Sequence, residues 1–305
     1  MPESITWGAI GAGDVMERKS GPPLYKQANS RLGAVTRRDA DKGRDYARRH
    51  GCRFVPTVTE LVADPSIDAI YVASPEAFHL EHVLAAAAAG KPVLVEKEMG
   101  NSTAECDAMI VACKKAQVPL GVAYYRRCHP SIRAAQRLLA AGAIGTPQRL
   151  WMNDQFPIVH RLDLTFMLFG DIASITVTEE DLPPDSHADR GPVLRALHAS
   201  GTRSSGNLKM RENHDVEQVV IDGSESRLVI HDLKAGRMSR TWGWKFETLD
   251  QPADPWAHWG IIGNFVDHLR SGTPLACTGE DGRKTTVIMD AVRKGAGATP
   301  VAIAY

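Results

Sequence analysis

Cysteine is scarce and unpatterned in this 305-residue chain. Cys52, Cys106, Cys113, Cys128 and Cys277 form no Cys-x-x-Cys pair and no zinc spacing with histidine, which excludes a disulfide scaffold and a zinc module and points to reduced packing thiols. No metal is expected. An excess of either charge is also missing: 36 Lys+Arg stand against 36 Asp+Glu, so no net field draws the chain to nucleic acid or to an anionic membrane surface. No apolar run approaches the roughly 20 residues that span a bilayer, and Met1 to Ser4 leads into a strand without a basic start and apolar leader core. Repeats and low-complexity tracts are lacking too, apart from the helical alanines Ala85 to Ala89. The expectation is a cytoplasmic protein whose partner is a small molecule.

The length suits two domains. The most informative stretch is Asp68 to Gly100. Two short apolar runs, Asp68 to Ala73 and Pro92 to Val95, flank an alanine-rich helix closed by Gly90. Buried strands joined by one helix lie parallel with a right-handed crossover, so Ser74, Pro75, Glu96 and Lys97 emerge at one carboxyl edge, where open α/β sheets bind ligands. Upstream, the apolar run Ile5 to Ile10 leads into Gly11-Ala12-Gly13, a tight turn that lets backbone amides approach a diphosphate, with Asp14 and Val15 at the next helix start. Met16 stands where the dinucleotide fingerprint has glycine or alanine, and Gly21-Pro22-Pro23 interrupts the helix, which predicts two short helices. An ordinary glycine turn is the alternative.

The second strand, Leu32 to Thr36, continues as Arg37-Arg38, where an NAD enzyme typically presents an acid to the ribose diol. Guanidiniums attract a 2′-phosphate, and at roughly 1.5 to 3 kcal/mol per charge-assisted bond one of them favours NADP over NAD by about tenfold to a hundredfold. NADP is therefore the expected cofactor, with NAD as the other candidate. Two solvated arginines beside Asp39 are the plain alternative. Thr57 and Ser102, each three residues before a glutamate, mark helix starts.

The segments SPEAFH and GKPVLVEKEMG resemble the glucose-fructose oxidoreductase / inositol dehydrogenase (Gfo/Idh/MocA) family, with its Pro-x-x-x-His turn and Glu-Lys-Pro motif, and the resemblance runs over nearly the whole chain. It implies that Lys97 sits beside the nicotinamide and the reacting hydroxyl, that Glu96 contacts the nicotinamide ribose, and that Ser74, Pro75 and His79 belong to the cofactor site. The third motif position departs, being Glu98. The segment Tyr124 to Pro130 is similar to the family's Arg-Arg-x-x-Pro junction, which makes Tyr124 and Arg127 candidate pocket residues, a hinge or salt-bridge role being the alternative. Aligning the family's Asp-x-Gly-x-His-x-x-Asp helix on Ile158 to Phe169 puts His160 and Asp163 on its histidine and last aspartate and Phe156 on its first aspartate. His160 is then expected to assist Lys97, with Phe156 lining the substrate side and Asp154 as a possible replacement acid.

Ser131 to Ala141 has helical spacing. Beyond Ile172, short alternating runs at Ser174 to Thr178, Val193 to Ala199, Gly206 to Arg211, Glu217 to Ile221 and Ser226 to Ile230 predict an antiparallel sheet. Ile262 to Leu269 and Lys284 to Arg293 read as closing helices and Val301 to Ala304 as a last strand. Trp242, Trp244, Trp256 and Trp259 fall around one loop, as pocket or as core. The expected fold is α/β: an NAD(P)-binding, Rossmann-type doubly wound parallel sheet over residues 1–122, then a substrate-binding and oligomerisation α+β domain over 123–305 built on a largely antiparallel sheet. The expected function is hydride transfer between nicotinamide and a carbinol or carbonyl of a sugar, cyclitol or related molecule, in a homodimer or homotetramer. The alternatives are an NADP-binding sensor of the same fold without turnover, and an enzyme reducing an unsaturated or imine substrate.

Overall fold

The computed structural model describes residues 3–152, 157–180, 191–208 and 217–305. The chain folds into two compact units: the first runs through Tyr125 and takes back Pro255–Thr286, and the second comprises Arg126–Asp254 with Val287–Tyr305. The expected boundary after Val122 lies just before the first crossing. The return of Pro255–Thr286 to the first unit was not expected, because an amphipathic helix pattern does not say which core it covers.

In the first unit the elements are β1 (Ile5–Ile10), α1 (Gly21–Lys26), β2 (Ser30–Thr36), α2 (Ala40–His50), β3 (Arg53–Phe54), α3 (Val58–Ala63), β4 (Ala69–Val72), α4 (His79–Ala88), β5 (Val93–Val95), α5 (Thr103–Ala116) and β6 (Leu120–Val122). The strand order is β3-β2-β1-β4-β5-β6, with every neighbouring pair parallel. β1, β4, β5 and β6 are buried along their whole lengths, as continuous apolar strands covered on both faces must be. The order reverses between β1 and β4, the place where this architecture opens its ligand crevice.

Local signals set the helix starts. The Thr57 side chain accepts from the Glu60 N–H, Ser102 from that of Glu105, and Asp39 from that of Lys42. Between β1 and β2 the expected interruption at Gly21-Pro22-Pro23 does not occur: a π-helical run, Met16–Ser20, passes straight into α1. Pro22 and Pro23 sit in the first turn of α1, where a missing N–H costs nothing. A Cβ on Gly21 would stand 2.1 Å from the Met16 carbonyl oxygen, so the buried Met16 and the wide turn require glycine there. The helix Trp259–Ser271 completes this core: the Phe265 ring lies 5.5 Å from that of Trp7 on β1.

The second unit contains α6 (Pro130–Ala140), β7 (Pro147–Met152), α7 (Ile158–Phe169), β8 (Ile172–Glu180), β9 (Gly191–His198), β10 (Arg203–Asn207), β11 (Val219–Gly223), β12 (Arg227–Asp232), β13 (Arg237–Trp242), β14 (Lys245–Thr248) and β15 (Val301–Ala302). Among the described residues these strands form a nine-stranded sheet, ordered β14-β13-β12-β11-β7-β10-β9-β8-β15. β7 and β10 are parallel, and the other pairs antiparallel. Alternating apolar residues, such as Val219 and Ile221 or Leu228 and Ile230, pack with Ile132, Ala135 and Leu164 from α6 and α7. β7, β13 and β14 were not expected as strands, since their polar residues hide the alternation. The predicted strand from Gly206 to Arg211 begins earlier, at Arg203, and its last residues lie outside the described ones. Among the described residues no helix is long and apolar enough to cross a membrane.

Candidate active site

The carboxyl edge of the parallel sheet is built around Gly11, whose φ of 94° only glycine adopts without strain. A Cβ there would stand 2.6 Å from the Ser74 nitrogen, so the glycine also lets the β1 turn lie against the end of β4. The Gly11 N–H donates to the Thr36 carbonyl at 2.9 Å, and the Gly13 N–H to that of Gly11 at 2.8 Å. On Gly13 a Cβ would meet nothing nearer than the Gly11 oxygen at 4.0 Å, which leaves room for a diphosphate to approach the turn. Asp14 and Val15 follow, and the Asp14 carboxylate is paired with Arg18, which offsets its repulsion of an incoming anion. At the end of β2 the half-buried Arg37 donates to the Ala12 carbonyl, whereas Arg38 is exposed. Asp39, as the α2 cap, is engaged with its own helix. The glycine turn and the open space over Gly13 fit the diphosphate of a dinucleotide.

Ser74 and Pro75 follow β4, and Glu96 and Lys97 follow the adjacent β5. His79, the buried first residue of α4, joins the two loops: its Nδ1 is 2.8 Å from the Glu98 carbonyl oxygen and its Nε2 2.9 Å from that of Ser74. The Ser74 hydroxyl is in turn 2.8 Å from Nδ1 of His82, whose pKa burial pushes below the usual histidine value. Lys97 is half-buried, and its peptide bond to Glu98 is cis.

Glu96 is buried, and its two carboxylate oxygens are used differently. Oε1 accepts from the Tyr71 hydroxyl and lies 2.8 Å from His258 Nε2, while Oε2 accepts the backbone N–H of Lys97 at 3.3 Å. Burial alone would raise the Glu96 pKa, but His258, the Tyr71 hydroxyl and Lys97 together hold it below the usual carboxylate value. The buried Tyr71 phenol is pushed well above its ordinary value, by burial first and by the Glu96 charge second. The structure thus connects Gly11, Ser74, His79, Glu96 and Lys97 in one unit, with Tyr71 and His258 added. Sequence reading missed the last two. Tyr71 looks like any aromatic strand residue, and His258 follows a tryptophan-rich stretch with no motif spacing.

The remaining candidates divide between the units. Tyr124 is fully buried in the first, its hydroxyl 2.7 Å from Thr285 Oγ1. In the second, α7 carries the buried His160 and Asp163, and the buried Arg127 donates to Asp163 Oδ1 at 2.8 Å. Its neighbour Arg126 pairs with Glu217 in the same way. Phe156 and Asp154 lie outside the described residues. Among the described residues no three His, Cys, Asp or Glu side chains converge as a metal-ligand set.

Comparison with known proteins agrees with this geometry. Residues 5–124 match the GFO_IDH_MocA family, described as an oxidoreductase family with an NAD-binding Rossmann fold. Oxidoreductase P35 of Formosa agariphila is 42% identical over 326 residues, covering 95% of this chain and 98% of that protein. Myo-inositol 2-dehydrogenase of Thermotoga maritima is 23% identical over 269 residues, covering 77% and 79%. Among solved structures, an oxidoreductase from Agrobacterium radiobacter in complex with NAD+, L-tartaric acid and magnesium superposes with a TM-score of 0.84 at 21% identity, covering 98% of each chain. The chain belongs to the Gfo/Idh/MocA family of NAD-binding oxidoreductases. It is an NAD(P)-dependent oxidoreductase with the family's parallel Rossmann sheet and second, mostly antiparallel sheet.

Proposed function

We propose that the protein oxidises or reduces a carbinol or carbonyl carbon of a sugar, cyclitol or related polyol, with NADP preferred over NAD and Lys97 as the group that exchanges the proton. The observation that carries this is the placement of Lys97 at the carboxyl edge of β5, its N–H held by Glu96 and its loop fastened through His79 to the Ser74 turn beside Gly11. A bound nicotinamide supplies the hydride acceptor or donor. The chain's own part is to hold the dinucleotide with Gly11, Gly13, Asp14, Val15, Ser74 and Pro75, and its 2′-phosphate with Arg37 and Arg38. Lys97 takes the hydroxyl proton during oxidation and returns it during reduction. His160 and Phe156 are the substrate-side candidates carried over from the family motif, whereas Arg127 and Asp163 are engaged with each other and Tyr124 with Thr285.

The substrate class rests on relatives named myo-inositol 2-dehydrogenase, 1,5-anhydro-D-fructose reductase and levoglucosan dehydrogenase. Exposed Trp244 and Phe246 at the β13–β14 hairpin support a homodimer or homotetramer, and the free cysteines suit the cytoplasm. The test follows reduced-nicotinamide absorbance with NADP+ or NAD+ and a panel of cyclitols, aldoses and anhydrosugars. The expected result is turnover of at least one polyol with NADP+. A panel without turnover, against a protein that binds NADP+, contradicts the proposal.

A further inference from the structure

We infer that His258 is a positioning residue for Lys97, acting through the Glu96 carboxylate from the far end of the sequence. The inference rests on the proposed role of Lys97 and adds a residue that no motif indicates.

Oε1 of Glu96 accepts from the Tyr71 hydroxyl and lies 2.8 Å from His258 Nε2, a close charge contact rather than an aligned hydrogen bond. With Oε1 held on that side, Oε2 faces the Lys97 backbone N–H, the contact seen at 3.3 Å. Tyr71 alone leaves the carboxylate free to rotate about its last bond and to share the phenol between its oxygens. A second contact on the same oxygen narrows that freedom, and the nearby imidazole offsets part of the cost of burying the carboxylate.

His258 is held by the packing of its ring, since neither of its nitrogens makes an aligned hydrogen bond. It is 1% exposed, and its ring lies 4.4 Å from that of Tyr125, just after β6. It stands at the start of the helix Trp259–Ser271, whose Ile262 N–H donates to the His258 carbonyl at 3.1 Å. The helix start is anchored to the β1–β2 connection, since Gln27 donates to the Trp259 carbonyl and the Lys26 ammonium lies 4.8 Å from the Trp256 ring centre. Trp256 and Trp259 stack at 5.5 Å. The returning segment thus brings an imidazole to the Glu96 carboxylate at the sheet edge.

The test compares His258→Phe, which keeps the ring against Tyr125, His258→Gln, which places an amide nitrogen near the position of Nε2, and His258→Asn, which is too short to reach Glu96. Amide hydrogen exchange in the segment from Glu96 to Met99, NADPH affinity by fluorescence titration, and kcat with KM on the best polyol of the panel are measured for each. Phe and Asn should speed exchange of that segment about tenfold or more and lower kcat by about tenfold to a hundredfold, the usual cost of a small misplacement of a catalytic group, with KM nearly unchanged. Gln should recover most of both losses. In a Glu96→Gln background His258→Phe should add nothing further. Unchanged exchange in folded His258→Phe or His258→Asn overturns the inference, as does an additive loss in the double variant. Should Phe fail to fold, the Gln and Asn pair decides the matter. Faster exchange with Lys97→Met fully active sinks the catalytic reading alone. Loss of turnover in Lys97→Met with no effect of any His258 variant sinks the positioning role alone.

Discussion

Arg127 Nε donates to Asp163 Oδ1 at 2.8 Å, and both side chains are almost wholly out of solvent. Asp163 is the last position of the motif aligned on α7, and in this chain it neutralises a buried guanidinium. Breaking such a pair from one side strands a buried charge and costs about 3 to 5 kcal/mol, whereas replacing both partners by apolar residues is often close to neutral. Asp163→Ala should therefore lower the unfolding midpoint clearly in urea, and Asp163→Leu with Arg127→Met should restore much of it. A stable Asp163→Ala variant that loses only substrate affinity would move Asp163 from support to binding.

Arg37 and Arg38 should separate in a nucleotide titration at fixed salt. Arg38 is exposed, so Arg38→Ala should remove about tenfold to a hundredfold of the preference for NADP and leave NAD binding alone. Arg37 also donates to the Ala12 carbonyl inside the glycine turn, so Arg37→Ala should weaken both nucleotides. Equal NADP and NAD affinities, unmoved by either change, would remove the arginines from the cofactor site.

His129 gives the second unit a pH dependence. Burial first, then the Arg126 charge, push its pKa from the ordinary 6.5 down to about 4. Between these values the unfolded chain takes a proton that the native ring refuses, so stability falls as pH drops from 6.5 towards 4, by up to about 3 kcal/mol. Above 6.5 the group contributes no slope. His129 also caps α6 by accepting the Ser131 N–H at 3.3 Å, a role asparagine can fill. Urea unfolding at a series of pH values should show a shallower acid loss for His129→Asn than for wild type. Identical slopes would mean that His129 does not titrate this way.

The parallel sheet was legible because its causes are local. Apolar runs at Ile5, Ala69 and Val93, the glycine turn and the capping residues Thr57 and Ser102 each impose their structure within a few residues. The position of Lys97 followed from the same logic, since parallel strands present their carboxyl ends together. The second unit was less legible. β13, with Arg237, Ser239 and Arg240, and β14, with Lys245 and Glu247, become strands through pairing with neighbours rather than through an apolar face. Trp242 and Trp244 belong to that hairpin, whereas Trp256 and Trp259 stack in the first unit, so nearness in sequence did not make the four one cluster. His258 was invisible because it meets Glu96 only after a long-range return of the chain, and Tyr71, on the neighbouring strand, because nothing in the sequence sets it apart from other aromatic strand residues.

The central claim is that Lys97 exchanges the proton of the reacting hydroxyl, and kcat of Lys97→Met tests it most directly. Methionine keeps the length of the side chain and removes the ammonium. The protein should fold and bind NADPH as wild type does, while kcat on the best polyol of the panel falls by about 10² to 10⁴, the range for a positioned acid or base. A variant that binds NADPH normally and turns the polyol over at the wild-type rate would contradict the account.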